Sequence, residues 1–389
     1  MNLQKLKISQ TKELLKELGI DVWLVFVRET PMMADPVLAL VVGHEVTWQS
    51  FFIYTSDGQS LALVGNFDKD NFIRSGCFDK VLTYTQSVKE QFVDLITEQD
   101  PQKIALNYST SDSASDGLTH GMFMLISEYL ERTSYHSRII SAEEIVSKLR
   151  SRKLPEEINL LRKAAEIAAE VWEEISHEIK TGMTEKEVAA IIDSKIKERG
   201  CTNSFDTLVN AGDKTEPGHG LPTAAKIDKG DLVHIDFGVL YQGFCSDIQR
   251  LLYFNRPNES SPPAELLDAF NTVRDIITET GRECRPGKKG YEIDQIARKI
   301  LTDHGYPEYR HALGHQLGRS VHDGGAILGP EWARYGITPA MPLEENNVFT
   351  LELEIMLPGI GCVGLEEDMC ITKEGAEFLC NRQKELVVR

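Results

Sequence analysis

The sequence predicts an α+β protein of two domains, in which a smaller α/β domain precedes a larger α+β domain with an internal repeat. The chain has 389 residues, a length that commonly divides into two domains. Short apolar runs alternate with helical patterns in the first part of the chain, which is typical of an α/β domain. In the second part, two helical segments with matching glycines recur at a constant offset, and this recurrence favours a duplicated half.

The N-terminal domain is expected to contain buried strands and amphipathic helices. An Asp57-Gly58 pair predicts a hairpin turn between two of the strands. The expected strands cover residues 22–27, 38–42, 51–54, 61–64 and 104–106, and the expected helices lie near residues 8–18, 88–98 and 118–131.

The domain boundary is expected in the stretch 149–155, which gives domains of residues 1–148 and 149–389. Pro155 is followed by Glu156 and Glu157. This order fits the first turn of a helix, where proline is tolerated and acidic side chains are favourable. That helix would open the second domain.

The internal repeat consists of two helical patterns flanked by glycines. Gly182 and Gly200 bracket the first pattern, and Gly287 and Gly305 bracket the second. Any two amphipathic helices share apolar spacing, but coincident flanking glycines favour a duplication. Each half would contribute one hairpin with carboxylates, so we expect a site near a pseudo-twofold axis.

Composition limits the classes of partner. The net charge is −18, from 42 basic and 60 acidic residues, and it opposes binding to nucleic-acid phosphates. No apolar stretch reaches the roughly 20 residues of a membrane span, and the N-terminus lacks the apolar core of a signal peptide. Seven scattered cysteines without a Cys-x-x-Cys pair are typical of reduced thiols. We expect no nucleic-acid or membrane partner and a cytoplasmic location.

Five residues of the C-terminal half carry metal-binding side chains in a suggestive order. They are Asp236, Asp247, His315, Glu352 and Glu366. Four carboxylates and one imidazole form an oxygen-rich set that suits a pair of divalent ions. A single Asp or Glu is usually a solvated surface charge, but four within apolar strand patterns fit that explanation poorly. The set predicts a two-metal hydrolase.

Two hairpins would give these carboxylates a geometry. If residues 241–242 form the loop of the first hairpin, antiparallel pairing places Asp236 directly opposite Asp247. The second hairpin places Glu352 opposite Glu366 in the same way. Opposed carboxylates repel each other unless a cation lies between them, so both pairs indicate metal binding.

Three histidines lie close together in the sequence between the two hairpins. His311 and His315 have the spacing of a pair on one helix face, and His322 follows. Gly314 and Gly318 disfavour a helix, so we expect a loop or strand that lets the backbone approach the ions.

Two further histidines are candidates for contrasting roles. His219 lies in a turn-rich loop, where groups that contact substrate concentrate. His234 alternates with Asp236 on one strand and could share its face, but we expect a structural role for it.

The motifs that contain these residues resemble those of a known family. They are residues 235–238, 245–250, 314–323, 349–352 and 365–368. With them, roughly residues 150–389 resemble the pita-bread metallopeptidases, which include aminopeptidase P, prolidase and, more distantly, methionine aminopeptidase. The resemblance implies a C-terminal pita-bread (creatinase/aminopeptidase) fold with a pseudo-twofold repeat. The N-terminal region is similar to the creatinase-type N-terminal domain.

The resemblance also implies roles for the candidate residues. Asp247 and Glu366 would bridge the two ions, and Glu352 would be both a ligand and the catalytic proton shuttle. Glu354 competes for the shuttle role because it shares a strand face with Glu352. The residues implied in metal binding are Asp236, Asp247, His315, Glu352 and Glu366; those implied in substrate binding are His219, His311 and His322, of which His219 and His322 would also act in catalysis.

The implied function is hydrolysis of a peptide bond, above all Xaa-Pro, by water that two divalent ions activate. An oxygen-rich ligand set suits Mn²⁺ best, with Zn²⁺, Co²⁺ and Fe²⁺ as alternatives. The substrate would be a small peptide, and the family implies a homodimer. Whether the enzyme acts as an aminopeptidase or as a dipeptidase stays open.

Three departures from the family pattern fall at the expected substrate pocket. Proline-specific relatives often carry arginine at the position of Gly364, proline at that of Leu353, and a proline-containing segment where this chain has Gly324-Gly325. Two alternatives therefore stay open. One is a creatinase-like enzyme that hydrolyses a non-peptide C–N bond or a small modified amino acid; the other is a non-catalytic binding protein on the same fold.

Overall fold

The computed structural model describes residues 2–214 and 220–389. The chain forms two compact units, Met1–Arg150 and Ser151–Arg389. Within the described ranges, no helix combines the length and the apolar content that crossing a membrane requires.

The first unit contains a six-stranded mixed sheet. Its strands are β1 Val22–Val27, β2 Ser50–Thr55, β3 Ser60–Gly65, β4 Lys80–Tyr84, β5 Ile104–Leu106 and β6 Ile139–Ser141, and its helices are α1 Leu3–Leu18, α2 Lys69–Ser75, α3 Lys89–Gln99, α4 His120–Leu130 and α5 Glu143–Ser151. The strand order is β4-β3-β2-β1-β5-β6. The neighbours β1, β2 and β3 pair antiparallel, and the outer pairs are parallel.

Helices cover both faces of this sheet. Every residue of β1 and β2 is buried, which explains why these strands read as continuous apolar runs. Trp23 and Val25 pack into one core with residues of α1 and α5. Val22 and Leu24 pack into a second core with residues of α3 and α4.

One of the strand predictions is wrong. Residues 38–42 form a short π-helical turn that ends at Gly43, which has a φ of 81°. The Gln4 side chain of α1 donates hydrogen bonds to the carbonyls of Val41 and Val42 at 3.0 and 2.8 Å. A short buried apolar run has the same pattern in a strand and in a helical turn, so the sequence alone could not separate the two.

In the described residues of the second unit, four α-helices accompany a large, mainly antiparallel sheet and a small one. The helices are α6 Pro155–Glu178, α7 Glu185–Glu198, α8 Ala264–Glu283 and α9 Gly290–Asp303; the strands are β7 Thr202–Asn203, β8 Leu208–Ala211, β9 Leu232–Phe237, β10 Val239–Tyr241, β11 Phe244–Cys245, β12 Ile248–Tyr253, β13 Val348–Leu357, β14 Gly361–Thr372, β15 Gly375–Phe378 and β16 Val387–Val388. The large sheet has the order β13-β14-β12-β9-β8, with β15 on β14 and β16 on β12, and the small sheet has the order β11-β10-β7.

The internal repeat reappears in the backbone. Gly182 and Gly287 have φ values of 90° and 89°, a region that favours glycine. Their N–H groups donate to the carbonyls of Ile227 and Leu343 at 2.7 and 2.8 Å. The turns that enter α7 and α9 are therefore built in the same way.

The helix starts in the two halves match only in part. The Glu187 carboxylate accepts from the backbone N–H of Thr184 at 2.7 Å, and Glu292 accepts from that of Lys289 at 2.7 Å. The Thr184 hydroxyl accepts in return from the backbone N–H of Glu187 at 3.2 Å. Lys289 has no acceptor in its side chain, so the second half lacks this bond.

Each half packs a helix pair against its own strands. Residues of α6 and α7 form a core with β8, β9 and β12, and residues of α8 and α9 form a core with β13 and β14. The two halves meet where β12 pairs with β14, through Gln249 opposite Glu366.

Candidate metal centre

The first hairpin has a register that differs from the expected one. Its loop consists of Gln242 and Gly243, with φ values of 48° and 81°, and positive φ at both loop residues is typical of a type I′ turn. Asp236 consequently lies opposite Gln249, so the prediction that it faces Asp247 is wrong. The two-residue difference keeps both carboxylates on one face.

The hairpin is also interrupted between the β10–β11 pair next to the loop and the β9–β12 pair beyond it. A β-carbon at Gly238 would lie 2.0 Å from the Ser246 carbonyl oxygen, so only glycine fits here. The Ser246 hydroxyl accepts a hydrogen bond from the N–H of Val239 at 2.9 Å. Asp247 follows in the gap before β12 and donates its backbone N–H to the Asp368 carboxylate at 3.1 Å.

The second hairpin has the expected register, with Glu352 opposite Glu366. Since Glu366 also faces Gln249, and Gln249 faces Asp236, four polar residues form one row across β9, β12, β14 and β13. Directly opposed residues project to the same face of a sheet. The row therefore brings three of the candidate carboxylates together.

Gln249 links this row and had no role in the sequence analysis. Its amide nitrogen donates to Glu366 at 2.9 Å and to Glu352 at 3.3 Å. Its amide oxygen lies 3.0 Å from His234 Nε2, so this histidine nitrogen acts as the donor. The type I′ signal at Gln242-Gly243 could have revealed Gln249, because that turn sets the register.

His315 reaches the carboxylates from an extended segment beside β13, as expected from the glycines around it. Its carbonyl accepts from the N–H of Thr350 at 2.9 Å. A β-carbon at Gly314 would lie 2.0 Å from the Thr350 carbonyl oxygen, so glycine permits this approach. His315 Nε2 lies 3.7 Å from Asp247, 3.8 Å from Glu352 and 3.9 Å from Glu366.

The best-defined potential metal site contains Asp247, His315 and Glu366. One ligand atom from each of them lies within 4.8 Å of the other two. Glu352 joins through its short distance to His315, and Asp236 through its place in the row opposite Gln249, which bonds to Glu366. The structure thus brings all five sequence-predicted ligands into one neighbourhood.

The structure places the other histidines of the sequence analysis in different surroundings. The His322 ring is exposed and lies 4.4 Å from the His315 ring, edge to face. His311 is exposed and its ring contacts Tyr309 at 5.6 Å. His219 lies outside the described residues. His234 is 4% exposed and hydrogen-bonded, which agrees with the structural role expected for it.

The electrostatics of this cluster favour a bound cation. Burial, followed by the charge of Glu352, raises the pKa of Asp236 to about 8. Burial and neighbouring carboxylates raise the pKa values of Asp247, Glu352 and Glu366 well above their ordinary values. Burial and the nearby His322 lower the pKa of His315 to about 3. Divalent ions would reverse the carboxylate shifts and favour the ionised forms.

The hydrogen bonding of the carboxylates also favours a bound cation. Asp236 Oδ1, Asp247 Oδ1 and Glu366 Oε1 are buried without a hydrogen-bond partner among the described residues. Buried polar atoms are normally paired, so three unpaired carboxylate oxygens in one cluster fit metal ligation. Oxygen and imidazole donors together suit divalent ions such as Mn²⁺ and Zn²⁺.

Two buried ion pairs hold the backbone around the cluster. Arg250 Nη2 lies 3.0 Å from Glu367, and Nη1 donates to the Glu366 carbonyl at 2.9 Å. Lys153 Nζ lies 2.7 Å from Asp323, directly after His322. These pairs restrain the segments that carry Glu366 and His322.

The comparisons place these features in a family. The model of metallopeptidase family M24 matches residues 159–373. The chain is 33% identical over 262 residues to a Xaa-Pro dipeptidase of Pyrococcus horikoshii, covering 67% of this chain and 71% of that protein. It is 36% identical over 241 residues to an uncharacterized peptidase of Staphylococcus aureus, covering 61% and 65%. A solved Xaa-Pro dipeptidase from Bacillus anthracis is similar with a TM-score of 0.79 and 25% identity over 99% of this chain and 100% of that one. The pita-bread fold that the resemblance implied is confirmed.

Proposed function

Since the chain belongs to metallopeptidase family M24, we propose that it hydrolyses Xaa-Pro peptide bonds with two divalent ions. The ligands would be Asp236, Asp247, His315, Glu352 and Glu366. One observation carries this proposal: buried carboxylates with unpaired oxygens surround a single imidazole. Among the described residues, no lysine or arginine forms an ion pair with these carboxylates, so the cluster needs cations from outside the chain.

The bound ions would supply Lewis acidity and a nucleophile at neutral pH. Glu352 is suited to move a proton, because its side chain is 23% exposed whereas that of Glu366 is 2% exposed. It lies at the end of the row and keeps access to a substrate atom. Gln249 orients the Glu352 carboxylate with a hydrogen bond of 3.3 Å.

His322 is suited to contact the substrate. Its ring is exposed beside His315, and an imidazole N–H there could donate to the oxygen of a reacting carbonyl. His311 and His219 keep the substrate-binding roles that the family resemblance implies. The names of the relatives support Xaa-Pro bonds as the substrate class.

The decisive experiment combines metal loading with a substrate panel. The protein is stripped with a chelator, reloaded with Mn²⁺, and assayed on Xaa-Pro dipeptides, longer Xaa-Pro peptides, dipeptides without proline, and creatine. We expect Mn²⁺-dependent cleavage of the Xaa-Pro compounds, and the relative rates on short and long peptides separate a dipeptidase from an aminopeptidase. Turnover of creatine instead would support the non-peptide alternative.

The matched variants are Asp247→Asn and Asp303→Asn, because Asp303 is an exposed helix residue far from the cluster in sequence. Asp247→Asn should abolish turnover and lower the number of bound ions, and Asp303→Asn should leave both unchanged. Full activity of Asp247→Asn, or absence of any Mn²⁺-dependent hydrolysis in the wild-type protein, would refute the proposal.

We further propose Mn²⁺ as the resident ion, a cytoplasmic location and a homodimer. Buried free cysteines such as Cys245 and Cys284 support a reducing compartment, and the family resemblance supports the dimer. We also propose domains of residues 1–148 and 149–389, the first of creatinase type. The two compact units Met1–Arg150 and Ser151–Arg389 support a boundary close to this one.

A further inference from the structure

One acidic side chain lies beside the candidate metal centre without belonging to it. Glu354 follows Glu352 by two residues on β13, so both side chains project to the same face of the sheet. Glu354 is half-buried and thus open to a bound molecule.

No side chain can lie directly opposite Glu354. Its cross-strand partner is Gly364. A β-carbon at this position would lie 2.7 Å from Gln249 Oε1 and 2.7 Å from His234 Nε2. Both atoms belong to the hydrogen-bonded pair that supports the row, so a residue larger than glycine would displace the pair. The strand itself thus contributes no side chain opposite Glu354, and the neutral Gln249–His234 pair covers this position.

In the part of the chain that the structure describes, Glu354 also lacks a cationic partner. Its carboxylate accepts one hydrogen bond, from Cys362 Sγ at 3.2 Å, and a thiol is a weak donor. Within residues 2–214 and 220–389, no lysine, arginine or histidine nitrogen lies at ion-pair distance from it. A half-buried carboxylate without a charged partner is unfavourable, and a ligand with a complementary group would offset that cost.

The charge balance of the candidate metal centre leaves Glu354 as the uncompensated negative charge that a substrate would meet. If two divalent ions bind as proposed, they neutralise the four carboxylates Asp236, Asp247, Glu352 and Glu366. The charge of Glu354 is then left over at the edge of the site. Partial burial strengthens its action on a neighbouring charge relative to that in water.

We infer that Glu354 is a specificity-determining residue, which selects substrates that place a cation or a hydrogen-bond donor beside it and rejects those that place a carboxylate there. This inference rests on the proposed hydrolase function. It narrows the substrate class to peptides or peptide amides with an ammonium, guanidinium or amide group next to the reacting bond, and it disfavours dipeptides with a free carboxylate at that point.

Two matched substrate series test the inference. In the first series, Gly-Pro carries a free carboxylate, a carboxamide or a 2-aminoethylamide, which is cationic. In the second series, Glu-Pro, Met-Pro and Lys-Pro amides vary the residue before the bond. In the series whose variable group reaches Glu354, we expect kcat/KM to be at least about tenfold higher for the cation than for the anion, because like charges in contact are strongly unfavourable. Equal rates, or a preference for the carboxylate in both series, would overturn the inference.

The variants are Glu354→Gln and Glu374→Gln. Glutamine keeps the shape of Glu354 and can still accept the bond from Cys362. Glu374 lies in the exposed turn between β14 and β15, so its replacement removes the same formal charge elsewhere. Glu354→Gln should reduce the cation-over-anion ratio to about one, mainly through KM, and Glu374→Gln should preserve the wild-type ratio. An equal fall of kcat on all substrates would instead identify Glu354 as the proton shuttle and contradict the specificity role.

Equilibrium binding separates this inference from the proposed function. The leaving groups proline and proline 2-aminoethylamide are titrated calorimetrically into the Mn²⁺-loaded wild-type protein and Glu354→Gln. Tighter binding of the cationic amide by the wild type alone supports the role of Glu354 even without turnover. Hydrolysis of both series combined with tighter binding of proline would retain the proposed function and reject the inference.

Discussion

Glycine at position 314 determines whether His315 can reach the carboxylates. A β-carbon there would lie 2.0 Å from a backbone oxygen of β13 and 3.4 Å from the Thr350 side chain. The backbone oxygen cannot turn away as a flexible side chain could. The segment that carries His315 would therefore have to move away from the sheet.

We predict that Gly314→Ala destabilises the protein by about 1–3 kcal/mol, the usual range for overpacking, and weakens metal binding. Urea unfolding and calorimetric Mn²⁺ titration measure the two effects. The control is Gly121→Ala in α4, where a β-carbon meets no atom within 4 Å. It should stabilise the helix by less than about 1 kcal/mol. Normal Mn²⁺ affinity in Gly314→Ala would show that His315 does not depend on this close approach.

At the scale of residues, the sequence predicted candidate ligands from their chemistry, and the structure brings them close together. Glu352 and Glu366 were predicted because carboxylates in apolar strands fit a solvated surface poorly. His315 was predicted because its imidazole completes the ligand set that the family resemblance implies. Gln249 was missed because a neutral amide carries no such signal by itself. Its role depends on the hydrogen bonds to Glu366 and His234, which only the register reveals.

At the scale of elements, the two hairpins show why one register was predicted and the other was not. Glu352 and Glu366 pair in an uninterrupted ladder from Val348 to Leu357, so counting outward from the turn succeeds. In the first hairpin, positive φ at Gln242 and Gly243 moves the loop by one residue. That step changes the partner of Asp236 by two positions.

The helix starts of the repeat predict an asymmetric response to mutation. Thr184 caps α7 with its hydroxyl, and Lys289 cannot cap α9 in this way although its backbone is similarly extended. We expect Thr184→Ala to cost about 1 kcal/mol and Lys289→Thr to stabilise by a similar amount. Urea unfolding measures both changes. Lys289→Ala is the control and should be close to neutral; a stabilisation equal to that of Lys289→Thr would exclude capping as the cause.

The pairing of β12 with β14 depends on a buried ion pair. Arg250 is 1% exposed and binds both the Glu367 carboxylate and the Glu366 carbonyl. We predict that Arg250→Met destabilises the protein by about 3–5 kcal/mol, because it leaves a buried charge unpaired. The double variant with Glu367→Leu should recover most of this loss.

Chemical unfolding of the wild type, both single variants and the double variant measures this coupling. Arg282→Met is the surface control, because Arg282 and Glu279 form an exposed ion pair, and such pairs contribute about 0–1 kcal/mol. A double variant as unstable as Arg250→Met would mean that the β12–β14 pairing is stabilised by the hydrogen bond to the Glu366 carbonyl rather than by the paired charges.

At the scale of the whole molecule, stabilisation by metal should appear in one unit only, and its size should depend on pH. Burial raises the folded-state pKa of Asp236 from 3.8 to about 8. In the metal-stripped protein this group therefore stabilises the fold fully below pH 3.8, and that contribution is lost as the pH rises through about 8. Bound Mn²⁺ favours the ionised form, so the stabilisation by Mn²⁺ should grow over the same pH interval.

Hydrogen exchange at pH 5.5 and pH 8, with and without Mn²⁺, checks this prediction for each unit separately. Peptides of Ser151–Arg389 should gain protection from Mn²⁺, and more so at pH 8, while those of Met1–Arg150 serve as the internal control. Binding at one thousand times Kd contributes about 4 kcal/mol. An equal gain in both units, or a larger gain at pH 5.5, would contradict the assignment of these carboxylates as ligands.

The division of the site between the two halves has a consequence for recombination. Asp236 and Asp247 come from the first half, and His315, Glu352 and Glu366 come from the second. A crossover in the exposed stretch 255–263, between β12 and α8, would exchange one set of ligands as a block. Chimeras made from relatives can therefore combine the two blocks only where Gln249 still pairs with Glu366 and Arg250 still pairs with Glu367. These two pairings set the compatibility of the parents, whereas Glu354 and Gly364 are inherited together in the second block.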